Sequence, residues 1–179
     1  MIYSFGVGHD ISFDIAVILQ FGCSIEAFDP TPRCVAWLAL QKLPKNFNFH
    51  PVGLSNKIQI LRFSAPPEDE FVSYTVAPRA DSTESVELPV RPIDIIMRDL
   101  GHSEIDFMKM DIEGSEYAAI SDMVEKAILP RQLCIEFHHG MFEYTQDQTR
   151  DAVETLREAG YSLYYVSLSG REYGFYLTG

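Results

Sequence analysis

Three features of the sequence predict an α/β fold, a doubly wound and mostly parallel sheet with an antiparallel hairpin at its C-terminal end. Short apolar strands alternate with helical segments over residues 1–137, the signature of strand–helix–strand crossovers. The first strand runs directly into Gly6-Val7-Gly8 before a helix begins, as at the ligand-binding edge of such sheets. The last two strands are joined by Ser169-Gly170-Arg171, a link too short for a parallel crossover, so the two cannot both be parallel.

Each element follows from local signals. Residues 2–5 read as a buried strand. In the segment after it, Ile11, Ile15, Ile18 and Leu19 fall on one helical face and Gly22 ends the helix. Residues 24–28 form the second strand. Thr31 offers an N-cap side chain and Pro32 suits the first helical position, which predicts a helix to about Leu43, before Pro44. Residues 47–52, 58–63, 71–76 and 86–90 read as strands, with an exposed loop around Pro66 and Pro67 and a polar, mobile stretch over 78–85. Pro92 opens a helix that Gly101 closes. Residues 105–110 form a strand, Ser115 to Ala127 a helix, and 132–137 a strand. Thr145 caps a helix ending at Gly160, and 161–168 and 172–178 are the final strands.

The 179 residues suit one domain spanning 1–179. Fourteen Lys and Arg face 26 Asp and Glu, for a net charge of −12. That balance disfavours nucleic acid phosphates and anionic membranes as partners. No apolar run approaches the ~20 residues of a membrane span, and the N-terminus carries no secretory signal pattern. Cys23, Cys34 and Cys134 are odd in number and widely spaced, which points to free thiols and a cytoplasmic location.

Chemistry-bearing residues gather at predicted strand ends. Gly6 and Gly8 let the backbone approach a ligand beside a helix N-terminus. Asp29, followed by Pro30, ends the second strand 21 residues after Gly8, where a carboxylate accepts two hydrogen bonds from ribose hydroxyls. Together these suggest an adenosine-containing ligand. In FMKMDIEGSE at 107–116, Asp111 emerges at the strand's end, Glu113 follows, and Gly114 permits a tight turn. Glu116 reads as a helix-start carboxylate, and Lys109 as one side of a structural ion pair. Glu136 and His138 end the next strand, and His138 has the chemistry of a general base. Glu136, His138, His139 and Asp111 match no defined metal-ligand spacing, so no metal is assigned.

The same residues resemble a known family. FMKMDIEGSE, with Lys109, Asp111, Glu113-Gly114 and Glu116, is similar to the signature of FkbM-type methyltransferases. PVRPIDIIMRDLGHSEID at 89–106 resembles that family's lead-in helix, and residues 3–32 resemble its cofactor-binding start. The resemblance implies a Rossmann-like class I fold, with seven strands of which the last is antiparallel. It further implies S-adenosylmethionine as cofactor and a hydroxyl of a small molecule or sugar as acceptor. By that resemblance Gly6 and Gly8 pack against the cofactor, Asp29 and Pro30 lie at its ribose, and Asp111 faces its methionine end and the acceptor. Asp10 stands where a further glycine is frequent, and Ser4 replaces a frequent acidic residue. The chain opens on the first strand, so an open pocket is expected.

Three functions share these residues. A methyltransferase draws on Asp111, Glu113, Glu136 and His138 for acceptor orientation and proton removal. An NAD(P)-dependent oxidoreductase shares Gly6, Gly8 and Asp29, but its pattern asks for a third glycine at position 11, which is Ile11, and for a parallel sixth strand, which the sequence does not indicate. A non-catalytic S-adenosylmethionine-binding module is the third.

Overall fold

The computed structural model describes residues 1–64, 74–75, 85–141 and 143–178. In chain order the elements are β1 (Ile2–Phe5), α1 (Ser12–Phe21), β2 (Ile25–Phe28), α2 (Pro32–Leu38), β3 (Phe47–His50), β4 (Gly53–Leu54), β5 (Gln59–Ser64), β6 (Ser85–Arg91) and α3 (Ile93–Leu100). They continue with β7 (Phe107–Met110), α4 (Glu116–Glu125), β8 (Gln132–Glu136), α5 (Gln146–Glu158), β9 (Tyr161–Val166) and β10 (Glu172–Leu177).

Seven strands form one sheet in the order β3-β2-β1-β7-β8-β10-β9. The pairs from β3 through β8 are parallel, and β10 is antiparallel to both β8 and β9. From β1 the chain first winds outward to β2 and β3, then returns to place β7 on the other side of β1. That reversal is the topological switch point, and it lies where the sequence placed it. The absence of a parallel sixth strand does not hold: β9, sixth along the chain in this sheet, runs in the parallel sense. It is β10, inserted between β8 and β9, that reverses direction.

Two apolar layers hold helices against the sheet. Ile25, Ala27 and Phe47 pack with Ile18 of α1 and Cys34 and Leu38 of α2. On the opposite face Tyr3, Phe5, Met108, Met110, Leu133 and Ile135 pack with α3, α4 and α5. Strand alternation explains the split: in β7, Met108 and Met110 are buried among helices, whereas Lys109 points to the other side and is half-buried.

Local departures have local causes. The third strand ends at His50 rather than at residue 52, because Pro51 has no N–H to continue the ladder. Beyond it the chain enters a second, three-stranded sheet, β4-β6-β5, over a small core of Phe63, Leu88 and Val90. Helix α2 stops at Leu38 instead of about Leu43; Ala39 and Leu40 are exposed, so nothing packs to hold another turn. The Thr31 hydroxyl does not cap α2 but donates to Asp29 Oδ1. Leu19 is 78% exposed, since α1 turns Asp14 and Ile18, four residues apart, toward the sheet. Residues 71–73 and 76 of the expected strand over 71–76, the Pro66–Pro67 loop and most of 78–85 lie outside the described residues; within them, Thr75 bridges Ser64.

One glycine is fixed by close approach. Gly6, at φ +80°, passes so near Asp111 that a Cβ would lie 1.6 Å from its carbonyl oxygen. Gly22, at φ +64°, faces open space. Gly6→Ala is expected to lose more than about 3 kcal/mol of unfolding free energy, and Gly22→Ala only about 1–2 kcal/mol for its left-handed backbone. Urea denaturation of the two variants checks the contrast, and equal losses would contradict it.

Candidate functional site

The ends of β1, β2 and β7 converge on a cavity of about 250 Å³. Its floor is the turn Gly6–Asp10, with Asp29 and Pro30 on one side and Asp111 and Glu113 on the other. Phe28, Leu54, Phe63 and Tyr74 supply an apolar wall. Every residue expected to bind the cofactor therefore lines one space.

Asp29 organises the first half of the site. Its Oδ2 accepts the Gly8 N–H at 2.9 Å, and its Oδ1 accepts the Thr31 N–H at 2.9 Å and the Thr31 hydroxyl at 2.6 Å. A carboxylate offers about four lone-pair sites; the Gly8 and Thr31 donors use three of them, and the Cys34 thiol also lies against Asp29. The Gly8 N–H is already spent inside the protein. Asp10, which replaces a frequent glycine, accepts the Ser12 N–H at 2.8 Å and so satisfies an amide at the start of α1. Those bonds hold its carboxyl below the ordinary range. Ser4 and Asp14 are buried beneath this turn, and burial pushes the Asp14 carboxyl up although Ser4 and Lys109 pull it down.

The second half is an acidic cluster around one imidazole. Asp111 follows β7, Glu113 sits in the turn at φ +54°, and Glu116 opens α4. Glu116 is fully buried and accepts the N–H groups of Ile112 at 2.8 Å and Gly114 at 2.9 Å. His138, 3% exposed, enters from the end of β8. Its Nδ1 lies 3.0 Å from Glu116 Oε1, and its Nε2 lies 3.5 Å from Glu113 Oε2 and 3.7 Å from Asp111 Oδ1. Burial by itself would lower the His138 pKa; the surrounding carboxylates, Glu116 foremost, outweigh it and push it up to about 9. Asp111 is shifted up by burial, against the pull of Lys109 and His138.

Sequence brought most of this cluster into view and misjudged parts of it. Lys109 does pair with Asp111, at 3.8 Å, and donates to the Gly6 carbonyl at 3.1 Å. Glu136 lies near enough that Asp111 adds to the upward shift that burial causes in its carboxyl, but it makes no ion pair or hydrogen bond among the described residues. His139 turns away to Thr149 Oγ1 at 3.0 Å. Glu116, read as a plain helix-start carboxylate, instead ties the turn to His138. Its signal was its place three residues after Glu113, across the Gly114 turn, but only burial reveals the contact. Gly114 has a packing reason as well: a Cβ there would lie 1.9 Å from the Tyr144 ring.

Comparison with known proteins agrees with this geometry. The sequence profile of the methyltransferase FkbM domain matches residues 2–163. No protein of curated function matches the chain. Among solved structures, it is similar to the methyltransferase FkbM from Methylobacillus flagellatus KT, with a TM-score of 0.58 and 17% identity over 98% of this chain and 42% of that one. A LepI variant in complex with SAH and a substrate analogue has a TM-score of 0.50 and 12% identity, over 99% of this chain and 43% of that one. The chain thus spans about two fifths of the length of these structures. At such identities the likeness is one of fold.

The three bonds to Asp29 make this carboxylate part of the fold as well as of the cavity. Asp29→Ala is expected to lower stability by about 1–3 kcal/mol, because the Gly8 and Thr31 donors are left without their acceptor. Chemical denaturation without any ligand measures it; an unchanged midpoint would return Asp29 to a purely ligand-binding role.

Proposed function

The chain belongs to the methyltransferase FkbM domain family, and from that premise we propose that it is an S-adenosylmethionine-dependent methyltransferase acting on a hydroxyl oxygen of a small molecule or sugar. The observation that carries this reading is the cavity at the switch point, lined by Gly6, Gly8, Asp29, Pro30 and Asp111. Its residues fit such a cofactor: an apolar wall for a flat base, the Asp29 carboxylate beside it on the side where a ribose would lie, and carboxylates beyond it that favour a positive centre. When bound, S-adenosylmethionine supplies an electrophilic methyl group on a sulfonium.

The chain's own residues then have to hold the acceptor oxygen in line and accommodate its proton. Asp111 takes both roles in this reading: it lines the cavity beside His138, and burial raises its carboxyl, making it a better proton acceptor than an ordinary aspartate. His138 is the poorer base, because its neighbours keep the ring protonated near neutral pH. Its role in this scheme is to hold Asp111 and Glu113 in register. Glu136 is a second acidic group at the edge of the cluster. The acidic composition and the size of the cavity suit a small-molecule acceptor, not nucleic acid or membrane. None of the described helices is long and apolar enough to cross a membrane. Cys23, Cys34 and Cys134 are free, which suits a cytoplasmic setting.

Calorimetry with S-adenosylhomocysteine and, separately, NAD tests the cofactor. Micromolar binding of the first alone is expected; binding of NAD alone overturns the reading. Turnover with a panel of hydroxylated acceptors tests the chemistry, and cofactor binding with no turnover on any of them would favour a non-catalytic module. In a folded Asp111→Asn protein, methyl transfer is expected to slow by roughly a hundredfold or more, and near-normal turnover would leave Asp111 a structural residue.

A further inference from the structure

We propose that Asp111, Glu113 and His138 form a binding site for a divalent first-row transition-metal cation. One ligand atom from each of these residues can be chosen so that all lie within 4.8 Å of one another. Nε2 of His138 is 3.5 Å from Glu113 Oε2 and 3.7 Å from Asp111 Oδ1. Two ligands of a tetrahedral ion with bonds of about 2.1 Å sit roughly 3.4 Å apart. The two gaps from Nε2 need only a few tenths of an ångström of closure to match, and the gap between the carboxylates lies within 4.8 Å.

Two further observations separate this cluster from an ordinary acidic patch. His138 is 3% exposed, and its Nε2 points between the two carboxylates, within ion-pair distance of both. Its other nitrogen, Nδ1, lies 3.0 Å from the fully buried Glu116. A metal at Nε2 would displace the proton that the neighbouring carboxylates otherwise hold there, and the carboxylate behind Nδ1 would favour the ligating form of the ring. Glu116 is itself fixed by the Ile112 and Gly114 amides, so the ring has little freedom to turn away.

The donor set decides the class of ion. Two carboxylate oxygens and one imidazole nitrogen suit Zn²⁺ or Mn²⁺, whereas Mg²⁺ and Ca²⁺ prefer oxygen alone. Three protein ligands leave open positions that border the cavity, since Asp111 and Glu113 both line it. The sequence concealed the site because its ligands come from two strand ends, whose separation along the chain matches no metal motif.

Zn²⁺ titration of the chelator-treated full chain, in competition with a chromophoric chelator, tests the site. One equivalent is expected to bind, with affinity reduced tenfold or more in both Asp111→Asn and Glu113→Gln. Unchanged affinity in both folded variants overturns the site, as does failure of the wild-type chain to bind Zn²⁺. Co²⁺ in place of Zn²⁺ is expected to give d–d bands without a thiolate charge-transfer band; a thiolate band would assign the ion to the free cysteines instead. If a variant fails to fold, Mn²⁺ added to the wild-type protein decides by NMR: the His138 ring signals are expected to broaden before those of His9, His50, His102 and His139, and any other order overturns the site. None of these measurements uses cofactor or acceptor, so they succeed or fail apart from the methyl-transfer reading.

Discussion

Where β1 leaves the sheet, the backbone at Gly6 runs against the carbonyl of Asp111, and only a residue without a Cβ at positive φ passes there. The contact locks together the ends of β1 and β7, the two strands that flank the reversal of winding. The Gly6 N–H is used by the Phe28 carbonyl and the Gly6 carbonyl by Lys109, so the same residue also joins β2 and the polar face of β7. The cavity exists because these strand ends are held that close, and their following turns diverge around it.

Polar groups at such a junction lose water and must satisfy one another. Two buried carboxylates do this by accepting backbone amides. Asp29 closes the turn between β1 and α1 onto the start of α2. Glu116 closes the turn between β7 and α4 onto itself and then reaches His138. Both are parts of the fold and also shape the site. The desolvated charge that remains is concentrated at Asp111, Glu113 and His138, at the mouth of the cavity. Burial raises Asp111 against the pull of Lys109 and His138, and the carboxylates raise His138 against its burial.

The strand and helix pattern was legible because it rests on periodicity and on breakers. Gly22 and Gly101 do close their helices in left-handed conformations, and Thr145 does form a capping box with Gln148. Signals with two local uses were less secure. Thr31 has the side chain of an N-cap, yet Asp29 two residues earlier competes for its hydroxyl and wins. Leu19 belongs to an apolar stripe on paper, but the rotation of α1 depends on what the sheet presents, and it presents a place for Asp14. Residues 58–63 and 86–90 read as strands, but nothing in a single chain says that they leave the main sheet for a second one.

By itself the sequence determined the doubly wound class, the antiparallel end of the sheet, and the strand ends at which Gly6, Gly8, Asp29, Asp111 and His138 would appear. Those follow from short-range rules: side-chain period, turn length, and the conformational freedom of glycine and proline. Tertiary structure decided the rest. It set which donors Asp29 accepts, that Glu116 lies behind His138, and that His139 turns away. It also gathered Asp111, Glu113 and His138 into one ligand set. The physical reason is that hydrogen-bond partners and electrostatic neighbours depend on distances between residues far apart in the chain, which spacing along the sequence does not encode.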